Sequence, residues 1–264
     1  MEVLGYGVCR LSLVSVRQAP QEHAPLVTQL LFGDHYEVVN APDSKNWIYI
    51  RIHFDGSEGW IDAEQHHGIT YEYFEQINNA NFKITTDITC GLLFKKSPVT
   101  ILIGSIVPIS NSELFKLEEQ FAFNGESKSL GQKREAEFLK SIAIKYLNAP
   151  YLAGGKSPFG VDAAGFIQMV FKISGYRLPR TLDRQILEGK KIVGIEEAQP
   201  ADVAFFKSTL NNNLHAGIIL DDQRIIHADG RVRIDQLFDG NILRPDTKIH
   251  THSLIEIRRI LNPA

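Results

Sequence analysis

Between Trp47 and Phe54 the chain alternates strictly: Ile48, Ile50, Ile52 and Phe54 share one face, Trp47, Tyr49, Arg51 and His53 the other. A period of two marks a strand buried on one side. Asp55-Gly56 supplies a tight turn, and Glu58-Gly59-Trp60-Ile61-Asp62 begins the returning strand. With close-spaced turn residues before it, residues 1–68 are expected to form a small all-β domain. Residues 80–126 carry a similar signal, with β-branched runs at Phe82–Asp87 and Thr100–Ser105 bounded by Gly, Pro and Asn. A second small β domain is expected there. The polar, Gly- and Ser-containing stretch Gly125–Gln132 reads as a linker.

At Lys133 the period changes. Phe138, Leu139, Ile142, Ala143 and Tyr146 recur at helical spacing up to Asn148-Ala149-Pro150. A second helix should start at Asp162, a good N-cap, bury Phe166, Met169, Val170 and Ile173, and stop at Gly175. Strands are expected at Val203–Phe206, Leu214–Leu220, Arg224–Ala228 and Arg231–Asp235, the last two joined by Asp229-Gly230. Residues 133–264 therefore predict an α+β domain, a helix followed by an antiparallel sheet.

Composition narrows the function. A net charge of -3 over 264 residues provides no broad basic surface, so nucleic acid is not an expected partner. No run of about 18 apolar residues exists to span a membrane. Met1–Tyr6 lacks a positive segment leading into an apolar core, so no signal peptide is visible. A cytoplasmic protein is expected, or a periplasmic one had a leader been removed. Cys9 and Cys90 are too few for a disulfide framework and read as small buried residues. His66-His67 reads as a solvated loop end.

The chemistry concentrates in Gly154-Gly155-Lys156-Ser157-Pro158-Phe159-Gly160-Val161-Asp162-Ala163-Ala164-Gly165-Phe166, together with His215 and His227. Two isolated histidines are more often satisfied core residues than catalytic ones. A zinc site lacks a third ligand at metal spacing, and neither metal nor cofactor is expected. The run, however, resembles the active-site segment of NlpC/P60 cysteine peptidases, in which it ends Asp-Cys-Ser-Gly-Phe. His215-Ala216-Gly217-Ile218 and Ile226-His227-Ala228 follow in that family's order. The Gln29–Asp34 run and Glu58-Gly59-Trp60-Ile61 are similar to bacterial SH3 (SH3b) domains. The resemblance implies a papain-like domain, a helix packed on an antiparallel sheet, preceded by two SH3b-like barrels.

By that resemblance position 163 is the nucleophile's, His215 the base and His227 the orienter of its ring. Such enzymes cut the γ-D-glutamyl to L-diamino acid bond of murein peptides during cell-wall recycling. Asp162 is then expected to bind the substrate's free amine and Tyr151 to support the oxyanion site; Arg180, after Pro179, lies on a family motif. Several positions depart from the pattern: Ala163 replaces Cys, Ala164 replaces Ser, Ala153 stands where Trp is common, Ser57 falls where a Tyr is offered to substrate, and the run Thr181-Leu182-Asp183-Arg184-Gln185 strays from the family's Asp-x-x-Gln-Gln shape. A methyl neither ionises nor attacks a carbonyl, so the chain as written is expected to be inactive. Three readings follow: a degenerate relative that binds a murein peptide or a protein partner, an active endopeptidase whose Cys was changed to Ala, and an interaction module working through its SH3b-like domains.

Overall fold

The alternating run becomes the strand Trp47–Ile52, hairpinned to Glu58–Asp62 with Arg51 opposite Glu58 and Gly56 at positive φ. The computed structural model describes residues 2–39, 44, 46–79, 82–108 and 121–261, and the chain divides into two units, Met1–Gln132 and Lys133–Ala264.

In the first unit seven strands form one sheet in the order Leu26–Leu31, Leu13–Arg17, Glu58–Asp62, Trp47–Ile52, His35–Val39, Val3–Val8 and Gly68–Ile69. Ile50 and Ile52 join Val14, Leu30, Tyr36 and Ile61 in its core, with Ile48 and Phe54 packed at the margin. That is the face the alternation assigned. His66 corrects an expectation: it is half-buried, and its Nδ1 meets the Tyr36 hydroxyl at 3.1 Å.

The helix Tyr71–Asn79, which the strand-based reading missed, follows. Thr70 caps it, receiving the Tyr73 amide on its hydroxyl, while Phe74 and Ile77 supply its buried side. Beyond it lie two three-stranded sheets: Thr89–Phe94 flanked by Ser97–Leu102 and Phe121–Asn124, and Lys83–Thr85 flanked by Ile106–Val107 and Ser127–Ser129. Residues 80–81 and 109–120 of the expected second β domain lie outside the described residues. Two expectations change here. The strand starts at Ser97 rather than Thr100. The supposed linker is in part sheet, because Ser127–Ser129 satisfies the open edge of Lys83–Thr85.

In the second unit the helix Ala136–Lys145 buries Leu139, Ile142 and Ala143. The helix Ala163–Ile173 is buried along its whole length. It ends as Gly175 predicts, at positive φ, with the Tyr176 amide bonded to the Phe171 carbonyl and the Gly175 amide to that of Lys172. Seven strands run in the order Lys190–Ile192, His250–Arg259, Val203–Ser208, Leu214–Ile219, Arg224–Asp229, Arg231–Phe238 and Asn241–Leu243. Asn241–Leu243 also pairs with His250–Arg259, closing the sheet on itself. Ala204, Phe206, Ile219, Ile225, Leu237 and Ile242 fill one face of this closed sheet. The helix Ala163–Ile173 packs on Leu214–Ile219 and Arg224–Asp229. No described helix is long and apolar enough to cross a membrane.

Candidate active site

Asp162 caps the helix Ala163–Ile173, so the first residue of that helix is Ala163. Its Oδ1 accepts the Gly165 amide at 2.6 Å and its Oδ2 the Gly154 amide at 2.8 Å. Arg180 closes on the same carboxylate with both Nη atoms, at 2.9 and 2.8 Å, and reaches the Gly155 carbonyl at 3.3 Å. The glycines are required by close approach: a Cβ on Gly165 would overlap the Gly155 carbonyl. The Gly-Gly turn and the helix start are thereby locked together, and unpaired amides of the first helical turn gather around Ala163.

Ala163 and Ala164 are buried, Ala153 is exposed, and Tyr151 is half exposed with its amide on the Gly230 carbonyl. Burial, then the Asp162 charge, pushes the Tyr151 phenol up from its usual value. Gln185, which from sequence stands only at the end of a run that strays from the family's pattern, holds the Ala164 carbonyl at 3.0 Å and that of Pro179 at 2.8 Å. Ser57 belongs to the first unit, in the turn after Trp47–Ile52, where its amide donates to Asp55.

His215 and His227 stand on neighbouring strands, and alternation puts them on the same face as Ile219 and Ile225. His215 Nε2 meets His227 Nδ1 at 2.9 Å, and His227 Nε2 meets Asp235 Oδ2 at 3.0 Å. Gly217 lies directly opposite His227, and a Cβ there would come within 2.9 Å of the His227 Cβ. Its missing side chain leaves the lane through which the two rings meet.

The carboxylate settles the tautomers. Asp235 can only accept when ionised, so His227 carries its proton on Nε2. In the neutral ring Nδ1 is then an acceptor and takes the His215 Nε2 proton. His215 Nδ1 is left with a free lone pair and has no hydrogen-bond partner among the described residues, the state a general base requires. Burial raises the Asp235 carboxyl, but hydrogen bonds from His227 and Arg233 outweigh it and hold the group below its usual value. Burial, followed by the charges of His227 and His252, pushes His215 well below 6.5.

Two members of this cluster escaped the sequence reading. Asp235 was read only as a strand end, and His252 sits in the unanticipated strand His250–Arg259. The His252 ring stacks on His215 with centroids 4.2 Å apart and planes 27° apart. Burial above all lowers its pKa to about 4. Among the described residues no group of three His, Cys, Asp or Glu is arranged to hold a metal.

The NlpC/P60 family pattern matches residues 148–251, and the bacterial dipeptidyl-peptidase SH3 domain pattern matches residues 16–65. Dipeptidyl-peptidase 6 of Lysinibacillus sphaericus is 24% identical over 232 residues, 79% of this chain and 82% of that enzyme. The γ-D-glutamyl-L-lysine dipeptidyl-peptidase of Bacillus subtilis is 32% identical over 220 residues, 76% of this chain and 71% of its own. An NlpC/P60 family protein from Bacillus cereus shares the fold, with a TM-score of 0.80 at 20% identity, over 97% of this chain and all of that one. With both patterns matched in order, and that identity running through most of the B. subtilis enzyme, the chain belongs to the NlpC/P60 family and carries a bacterial SH3 domain ahead of its peptidase-type domain.

Proposed function

We propose that this chain uses its NlpC/P60 peptidoglycan-endopeptidase scaffold to bind a murein-type peptide without cutting it. The observation that carries the reading is Ala163 at the start of a capped helix, on a domain whose imidazole chain is otherwise complete. Thiol hydrolysis needs an ionisable sulfur at that point; a methyl forms no thioester. The B. subtilis relative, by its name, acts on γ-D-glutamyl-L-lysine, which supports a γ-glutamyl peptide as the class of ligand. The base, its orienter and the acid behind it are retained as acceptors and as packing, with no bond-breaking partner.

A second reading, an active endopeptidase altered at one residue, is favoured by the integrity of His215, His227 and Asp235. One pair of measurements separates them. Calorimetry with L-Ala-γ-D-Glu-diaminopimelate should show saturable binding, and chromatography of the same mixture should show no products. Turnover by the unaltered chain sinks the binding proposal. Ala163→Cys should raise cleavage at least about 100-fold over the unaltered chain if only the thiol is missing. No gain would mean that Ala153, Ala164 and their surroundings have also lost the ability to position a scissile bond.

A further inference from the structure

At the end of the closed sheet away from the imidazoles, the second unit frames a separate cavity. His215 is the second residue of the strand Leu214–Ile219 and Ile219 its last. Four steps of about 3.3 Å, roughly 13 Å, lie between them along the strand. The cavity measures about 530 Å³ and opens to solvent, a size that ordinary ligand sites share. Its floor is apolar: Ile219, Leu220 and Leu237 are buried there, with Ile195 and Pro200 beside them. The charged groups of its lining are all acidic. Glu196, Asp221, Asp222 and Asp239 line it, and no described Lys, Arg or His does. Lys140 holds Asp221 at 2.6 Å, and Arg224 reaches Asp222 at 3.4 Å. Glu196 and Asp239 are exposed and have no ion pair among the described residues.

Two unpaired carboxylates above a buried apolar floor ask for a partner with both an apolar body and positive charge. Lysine and arginine meet the rim well, because their methylene stems cover apolar surface while the charged head stays in water. An acidic partner meets like charge on every side of the opening. We infer that this cavity docks a basic peptide segment, with an apolar side chain on the Ile219–Leu237 floor and flanking lysine or arginine at Glu196 and Asp239. The site is separate from the cleft at Ala163 and does not depend on the murein-peptide reading.

The test follows amide shifts of the ¹⁵N-labelled full chain during titration with acetyl-Lys-Leu-Leu-Lys-amide. Shifts at Leu220, Gln223, Leu237 and Gly240 are expected to saturate with a Kd below about 1 mM. Acetyl-Lys-Gly-Gly-Lys-amide lacks the apolar anchor and acetyl-Glu-Leu-Leu-Glu-amide reverses the charge; each should bind at least about tenfold more weakly. Glu196→Gln together with Asp239→Asn removes both charges, and Asn tolerates the positive φ of 49° at position 239. That pair should weaken the Lys-Leu-Leu-Lys peptide at least about threefold while leaving the rest of the spectrum in place. No saturation at the cavity, shifts gathered around Gly154–Ala163 instead, equal binding of the three peptides, or an unchanged Kd in the double variant each overturns the inference.

Discussion

Asp162 shows how much one side chain can organise. It caps a helix, pins a glycine turn and neutralises a buried arginine at once. Asp162→Ala removes a cap, about 1 kcal/mol, and takes the carboxylate from the buried Arg180, which adds to the loss. Urea denaturation should show a destabilisation of that order, with the largest loss of amide protection in the first turn of Ala163–Ile173. A change below about 1 kcal/mol would contradict the bonding described. The N-cap was legible from Asp162 preceding an apolar helical run. The arginine clamp was not, because Arg180 lies 18 residues away and no local pattern joins the two.

At the level of elements, the start of Ala163–Ile173 sets the amides of a first helical turn beside the Ala163 methyl. The free amides of a helix N-terminus stabilise a thiolate. Ala163→Cys should therefore react with iodoacetamide at pH 6.5 at least about tenfold faster than free cysteine, whose pKa of about 8.5 leaves it mostly protonated. Background is low because Cys9 and Cys90 are both buried. Adding His215→Ala should slow the reaction; no effect would mean that the imidazole does not reach position 163. The elements that carry this site differ in legibility. The helix and the strands at 203–235 follow from apolar period and a turn signal at Asp229-Gly230. His250–Arg259 does not, since its burial alternates irregularly and a bulge sits opposite Phe205 and Phe206. The helix Tyr71–Asn79 had a usable signal in Thr70 followed by apolar residues three apart.

For the whole molecule, the buried imidazoles tie stability to pH. His215 is held well below 6.5 and His252 at about 4, whereas both titrate near 6.5 when unfolded. Between those values the unfolded chain binds protons that the folded chain refuses. Stability is therefore lost as pH falls below 6.5, by at most about 1.4 kcal/mol per pH unit for each group. Asp235, whose folded value lies below 3.8, adds a further loss as pH drops through the carboxylate range. Urea midpoints at pH 7.5, 6.0 and 5.0 should decline in that order. Equal midpoints at 7.5 and 5.0 would show that the imidazoles charge freely in the folded state.

Taken alone, the order of residues determined the period of the strand Trp47–Ile52, of the two helices at 136–173 and of the strands at 203–235, the turn residues at Asp55-Gly56 and Asp229-Gly230, the capped helix start at Asp162, and the resemblance of the segment around Ala163 to a family of thiol enzymes. These are matters of neighbours along the chain, and short-range sterics and burial patterns write them there. Only the tertiary structure decided that Asp235 and His252 join His215 and His227, that Arg180 fills the Asp162 carboxylate, and that the sheet closes through Asn241–Leu243. Those pairings depend on register between strands distant in sequence, which periodicity within any one strand does not contain.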